Sequence, residues 1–440
     1  MIGTAPPHGA AHRLALPWVD PERAYLALFR DAPASFWLDS GIDAATGRSY
    51  QGACALDEVL VGDEWPRLEG AGDRALGRYG WITYEAGAPF VALPADPEAP
   101  PGSVLLRGDP VLEFDHSAHS LAVVFTEERR AEAERLAEAL AASTAAEVVR
   151  PSEPAGAIRW RHDSAHYLAL IERCQAAIRA GDAYQLCLTN EVVVEGRFDP
   201  VECYRRLRRS SPSHHGGLIR VGDRALVSAS PERFLTGDIT GRVATHPIKG
   251  TRPRSSDPAE DARLRDELLA SVKERAENVM IVDLVRNDLA RIAEPASVRV
   301  DRLLEVESYP HVHQLVSEVS ARPAWGVGVA QLLEATFPAG SMTGAPKRRA
   351  VQLLRELEGG PRGVYSGAFG RFGSDGSLDL AMTIRTLVLD ARSARIGTGG
   401  GITALSVPAE EVEETRLKAR ALLAVLGVDT EAAEDSSPGH

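Results

Sequence analysis

The stretch Val364-Tyr365-Ser366-Gly367-Ala368-Phe369-Gly370-Arg371-Phe372-Gly373-Ser374-Asp375-Gly376-Ser377-Leu378-Asp379-Leu380-Ala381-Met382-Thr383-Ile384-Arg385-Thr386-Leu387-Val388-Leu389 reads as two extended runs about a tight turn. Ser374-Asp375-Gly376 supplies the turn chemistry, and the flanking runs carry aromatic and branched apolar residues. Strands are predicted over Val364–Phe372 and Ser377–Leu389. Just upstream, Lys347–Leu357 has helical spacing and is stopped by Gly359-Gly360. Hairpins interspersed with helices, rather than a regular β-α-β alternation, predict an α+β fold.

Working outward, Ser35–Ser40 and Tyr79–Tyr84 read as strands, and the Ala/Glu/Arg-rich segment Glu127–Ala142 as a helix. Arg150–Gly156, with two prolines and a glycine, is the linker signal. Beyond it, Tyr167, Ile171, Cys174 and Ile178 mark a helix ending at Gly181, followed by strands through Leu186–Leu188 and Ala225–Ser228. Pro247 disfavours helix at His246, so the segment reaching Lys249 reads as extended. Asp257-Pro258 opens a long helix with the expected core stripe Leu264, Leu268, Val272, Ala276 and Val279. Val329–Ala335 reads as a short helix, and another runs from Pro408 to near Gly427. The predicted organisation is an N-terminal region 1–150, a linker 151–163, a larger region 164–427, and a disordered acidic tail 428–440.

The 440 residues are enough for a large core, and the net charge of -13 argues against a nucleic-acid partner. It leaves room for a small anion in a local basic pocket. Cys54, Cys174, Cys187 and Cys203 form no C-x-x-C pair and no zinc spacing, so they are expected to be reduced thiols. No apolar run has membrane-spanning length and the first residues do not read as a signal peptide, so a cytoplasmic protein is expected.

Five features could carry chemistry. Lys249, in Pro247-Ile248-Lys249-Gly250-Thr251-Arg252, reads alone as a lysine in a surface turn. Glu277 lies on the long helix beside Met280, Ile281 and Leu284; it is either a carboxylate paired with Lys273 or one meeting a cation or metal. Glu411, Glu414 and Lys418 share a helix face, where acids also complement the helix dipole. Two acidic patches distant in sequence are what an oxygen-liganded Mg²⁺ needs. Gly340–Lys347 precedes a helix N-terminus and fails the nucleotide-loop spacing, so a carboxylate is the expected anion. Arg385 on an apolar strand calls for a carboxylate, from the protein or from a substrate.

Together these motifs resemble the chorismate-utilising enzymes: the large subunits of anthranilate and aminodeoxychorismate synthases, with isochorismate and salicylate synthases as cousins. The resemblance runs through Ser230-Pro231-Glu232-Arg233-Phe234, Pro247–Arg252, Arg275-Ala276-Glu277-Asn278, Asp283–Leu289, Gly344-Ala345-Pro346-Lys347, Ile384-Arg385-Thr386 and Gly399-Gly400-Gly401-Ile402. It covers Ser164–Leu426 well and residues 1–150 more weakly, through Phe36–Ser40. It implies a layered α/β/β/α sandwich of antiparallel sheets.

The resemblance also implies roles. Glu277 and Glu414 match Mg²⁺ ligands, with Glu411 a nearby acid. Arg385, Tyr365 and the Gly399–Gly401 backbone match binders of a substrate carboxylate. Ser341, Thr343, Gly344 and Ala345 line the pocket, and Thr251 and Lys418 join the substrate-binding set. Glu232 matches a general acid for the departing C4 hydroxyl. Lys249 matches a covalent nucleophile at C2 in the members that place ammonia at C4; anthranilate synthases carry alanine there. Ammonia would come from a partner glutamine amidotransferase subunit or from solution, because no cysteine of this chain sits in a Gly-x-Cys-x-Gly turn. The product would enter para-aminobenzoate, folate or related secondary metabolism. Anthranilate synthase, 2-amino-2-deoxyisochorismate synthase and a non-catalytic chorismate-binding subunit are the alternatives. Two positions depart from the pattern: Gln314, where many relatives have a histidine (His313 precedes it), and Leu405, where relatives often have aspartate.

Overall fold

A computed structural model describes residues 10–62, 72–143, 155–309 and 311–428. The first nine residues, most of the linker signal and the tail from 429 lie outside the described residues. The Val364–Leu389 stretch again gives the plan. Strands Ala368–Gly373 and Leu378–Met382 pair antiparallel, Ala368 opposite Met382, around a turn closed by Ser377 N–H to Asp375 Oδ1 at 2.9 Å. The second run is not one strand as expected. It breaks at Thr383–Arg385, where Arg385 has φ +51°, and resumes as Thr386–Leu389 in a different sheet. A non-glycine residue at positive φ is costly and marks a place where the fold demands a sharp redirection.

Among the described residues there are two antiparallel sheets, of twelve and ten strands. Strands from both sides of residues 151–163 lie in each of them: Ala34–Asp39 beside His215–Val221 in the larger, Gly77–Ile82 beside Ala368–Gly373 in the smaller. The sheets face each other across a core containing Phe36, Tyr79, Trp81, Ile219, Leu226 and Phe369, with Phe36 and Tyr79 stacked at 3.9 Å. Strand alternation explains the sorting. Phe36 points between the sheets, whereas Trp37 points outward against Tyr25 and Tyr204 of the Pro21–Leu28 and Pro200–Ser210 helices. The Val272–Ala290 and Val329–Thr336 helices cover the smaller sheet's outer face. The order is helix, sheet, sheet, helix, the expected layered sandwich.

The long helix expected from Asp257 is two helices, Pro258–Ala270 and Val272–Ala290. Ser271 ends the first and caps the second, its hydroxyl accepting from Glu274 N–H. The break resets the helical phase, so the expected stripe is not a core stripe. Leu268 is buried, but Val272 is 82% exposed, Val279 45%, and Ala276 is exposed. The inward face is Asn278, Ile281, Val282, Val285 and Leu289. Asn278 ties the helix to the sheet: its Nδ2 donates to Pro247 O and Leu315 O, and its Oδ1 accepts from Ser317 Oγ at 2.6 Å. Asn278→Ala should lower unfolding free energy by about 2–3 kcal/mol in urea titration, because buried partners are left unpaired. A change under about 0.5 kcal/mol would show that these bonds carry no stability.

Candidate active site

The site lies at a seam where two neighbouring chain segments change sheet. Arg224–Ser230 belongs to the larger sheet and Arg233–Gly237 to the smaller, so Ser230-Pro231-Glu232 is a crossing. Thr383–Arg385 is the other crossing. The two are held together by Met382 N–H to Glu232 O at 3.0 Å and Ala229 N–H to Arg385 O at 3.1 Å. Glu232 and Arg385 are thereby fixed side by side in the chain path.

Glu232 is buried, and Ser341 Oγ donates to its Oε1 at 3.0 Å. Burial pushes its carboxyl up to about 7, against the opposing pull of Lys249 and the Ser341 hydroxyl. Behind it, Phe234, Ile281, Val285 and Met382 help line a small apolar pocket. Lys249 is half-buried in the strand Ile248–Pro253. The pairing of that strand with Val312–Ala321 slips between Ile248 and Thr251, so Lys249 and Gly250 form a bulge. A bulge re-aims a side chain. Gly250 has φ +87°, and a Cβ there would lie 2.7 Å from Leu268 and 2.9 Å from Glu274, so the bulge needs glycine.

The triple glycine is the last part of strand Ser393–Ile402, paired with Gln185–Glu195 so that Leu188 faces Gly400 and Cys187 faces Gly401. It forms a floor without side chains. A Cβ on Gly400 would lie 2.9 Å from Glu411 Oε2, and one on Gly401 would lie 2.3 Å from Gln185 Nε2 and 3.8 Å from Lys249 Nζ. Lys418 Nζ donates to Gly399 O at 2.8 Å and pairs with Glu414 at 2.7 Å. Glu411 and Lys418 thus approach the glycines on the Gly400 side, and Gln185 and Lys249 on the Gly401 side.

The carboxylates come from two helices. Burial raises the pKa of Glu277, with Lys249 and Lys273 opposing, and burial likewise raises Glu411, opposed by the Ser406 hydroxyl. Burial also acts against ionised Glu414, but Lys418 prevails and holds it below the usual carboxylate range. Lys273 reaches Glu411 at 4.0 Å rather than pairing with Glu277. Among the described residues no three His, Cys, Asp or Glu side chains stand in metal-binding geometry. The donor chemistry is nevertheless that of a hard cation: carboxylate oxygens only, two of the three acids raised in pKa by burial.

Arg385 keeps exposed surface, and no carboxylate among the described residues pairs with it; the packing around its guanidinium lowers its pKa, opposed by Tyr365 and Glu414. Tyr365 is buried against the strand, its ring occupying the space a Cβ on Gly397 would take. The other expected residues are less central. Thr343 Oγ1 donates to Ala339 O and Gly340 O, and Gly344 and Ala345 pair with Leu186 and Gln185 as a short strand. Lys347 closes on Asp288 at 2.6 Å, so its amine is committed to the protein. Thr251 is exposed, opposite Gln314. His313 does not stand in for Gln314: it lies between Ser308 Oγ at 2.8 Å and Asp261 Oδ1 at 3.1 Å, on the opposite strand face.

Gln185 was not among the site residues expected from the sequence. It is 1% exposed and its Oε1 has no hydrogen-bond partner, a costly state for a buried amide. Its signal was alternation: it lies on the strand face opposite Leu186 and Leu188, which pack against helices.

The sequence pattern of the family described as chorismate binding enzyme matches residues 21–424. An aminodeoxychorismate synthase of Streptomyces griseus is 40% identical over 92% of this chain, which spans 63% of that relative's length. An anthranilate synthase component 1 of Streptomyces coelicolor is 40% identical over 79% of this chain and 72% of its own. Among solved structures, anthranilate synthase component I from Streptococcus pneumoniae superposes with TM-score 0.72 at 27% identity, covering 96% of this chain and 93% of that one. The menaquinone-specific isochorismate synthase of Escherichia coli shares the fold, with TM-score 0.73 at 17% identity over 97% and 96% of the two chains. With its family match running through both sheets and every residue of the seam, the chain belongs to the chorismate-binding enzymes.

Proposed function

We propose that the chain aminates chorismate with ammonia to give 4-amino-4-deoxychorismate. The observation that carries this reading is the placement of a lysine amine, on its own bulge, over the glycine floor and within electrostatic reach of a buried carboxyl raised to about 7. Lys249 Nζ forms a bond to C2. The ring double bonds shift by one position each, and the C4 hydroxyl leaves as water with the proton of Glu232. Ammonia then bonds to C4, the double bonds shift back, and the Lys249 amine leaves C2. The unpaired Oε1 of Gln185, beside Lys249, is an acceptor for an N–H of the incoming ammonia.

Arg385 binds one substrate carboxylate as an open cation, with Tyr365 beside it. The carboxylates of Glu277, Glu411 and Glu414 fit Mg²⁺, which would neutralise the ring carboxylate and draw electron density from the diene. Ammonia is supplied by a glutamine amidotransferase subunit. The Streptomyces griseus relative named aminodeoxychorismate synthase matches over 92% of this chain, against 79% for the anthranilate synthase component 1 of equal identity, and this supports the choice among the family's reactions, as does a lysine at position 249.

Chorismate consumption should require both ammonium and Mg²⁺. Equal turnover without ammonium, as for an isomerisation, would overturn the proposal. Glu277→Gln should weaken calorimetric Mg²⁺ binding by about ten-fold or more, with the thermal midpoint within a few degrees because Glu277 makes no close ion pair among the described residues. Unchanged Mg²⁺ affinity would remove Glu277 from the ligand set.

A further inference from the structure

Arg362 is not among the residues expected at the site, and its side chain is 1% exposed. All five of its guanidinium N–H groups are used. Nε donates to Glu358 Oε2 at 2.8 Å, and Nη2 donates to Glu358 Oε1 at 2.7 Å and Cys187 O at 2.8 Å. Nη1 donates to Met342 O at 2.7 Å and Ser366 Oγ at 3.3 Å. The guanidinium also lies 4.3 Å over the Tyr84 ring. Only a planar fork with five donors meets such a set; a lysine ammonium has three. No N–H is left for a substrate, so Arg362 acts only through what it holds.

What it holds is the frame of the site. The strand Gln185–Glu195 has the glycine strand on one side. On the other side Gly344-Ala345 pairs with its start and Ile158–Trp160 with its far end. Between these short partners two side chains close the edge: Arg362 covers Cys187 O, and Glu358 Oε1 accepts from Thr189 N–H at 2.9 Å. Cys187 and Thr189 stand opposite Gly401 and Gly399, so the buried ion pair backs the glycine floor. Met342 adjoins Ser341, whose hydroxyl donates to Glu232. Ser366 follows Tyr365 at φ +64°, and its N–H donates to Thr383 O in the crossing that carries Arg385. Glu85 of the N-terminal region fixes the backbone here, accepting from Arg362 N–H at 2.6 Å and Gly363 N–H at 3.0 Å.

We propose that Arg362 is a positioning residue of the reaction: through Met342 it keeps the Ser341 hydroxyl on Glu232, and through Cys187, with Glu358, it keeps the strand behind the glycine floor in place. The inference rests on the amination reading, in which Glu232 is the general acid. Lys249 is the cation that acts on Glu232, and Asp288, paired with Lys347, lines the pocket behind it; none of these is bonded to Arg362. The Ser341 bond pulls the Glu232 pKa down, so losing it moves the titration up.

Two variants of the full chain test this: Arg362→Lys, and Arg362→Met combined with Glu358→Met, which leaves neither charge buried alone. The readout is the titration of the Glu232 carboxyl by infrared difference spectroscopy without substrate, with Glu232→Gln as blank. Ser341→Ala should raise that titration by about half a pH unit or more. Both Arg362 variants should move it in the same direction, and adding Ser341→Ala to Arg362→Lys should move it no further than Ser341→Ala alone. Their kcat for chorismate consumption should fall about ten-fold or more, as expected when a reacting group is displaced. A role in stability alone would lower the thermal midpoint and leave the titration in place. A titration unmoved in both Arg362 variants or in Ser341→Ala, or kcat within about two-fold of wild type, overturns the proposal, and so does loss of folding in both variants. The titration needs no product, so nitrogen found at C2 would overturn the amination reading while the shift still decides the role of Arg362.

Discussion

Lys249→Ala should lower formation of 4-amino-4-deoxychorismate by at least about three orders of magnitude, since removal of a covalent nucleophile removes the step it makes possible. The fold should not suffer. The side chain is half-buried, the bulge is fixed by Gly250 and by the flanking strand pairs, and no described ion pair involves Lys249. Unfolding free energy should therefore stay within about 0.5 kcal/mol of wild type. The shortened side chain also opens space over Gly401, where Gln185 Nε2 lies, so attack by ammonia at C2 and a trace of anthranilate-type product are expected. Liquid chromatography with mass detection reads both products. An unchanged product at an unchanged rate removes Lys249 from the chemistry.

Glu232→Gln separates activity from stability. As general acid the carboxyl works in its protonated form, so wild-type kcat should fall as pH rises through about 7. The glutamine variant should lose about two to four orders of magnitude and should lack that pH-dependent fall. The stability effect has the opposite sign. A carboxyl raised to about 7 when folded, against 4.5 unfolded, favours the folded state while protonated, and this advantage is lost between about pH 4.5 and 7. The difference corresponds to about 3 kcal/mol. Glutamine keeps the neutral form at every pH, so the variant should be more stable than wild type above pH 7, by up to that amount. A variant no more stable at pH 8 would show that Glu232 is not held in a raised state.

Much of the fold was legible because it rests on local signals. The Ser374-Asp375-Gly376 turn, the Asp257-Pro258 helix start and the alternation around Phe36-Trp37 each state a backbone conformation that the neighbours cannot easily override. The two failures have one cause each. The strand expected to run to Leu389 changes sheet at Arg385, because the site needs that arginine at a seam, and no propensity marks a residue forced to φ +51°. The stripe Val272–Ala276–Val279 has core periodicity but lies past the Ser271 break, which turns it outward; periodicity cannot tell a buried face from an exposed one. At the site, motif resemblance pointed to Glu232, Lys249, Arg385 and the glycine floor, whose convergence depends on pairing across 150 residues and more. Gln185 was not placed in the site, because the sequence does not show which amides end up buried without a partner. Only the structure shows that its oxygen lacks a partner beside Lys249.

The most direct measurement is the position of nitrogen in the product formed from chorismate, Mg²⁺ and ¹⁵N-ammonium, read by ¹⁵N–¹³C coupling in NMR. Lys249 as the C2 nucleophile predicts ¹⁵N bonded to C4 of an intact, pyruvate-bearing ring. Nitrogen at C2, in anthranilate or aminodeoxyisochorismate, would contradict the account.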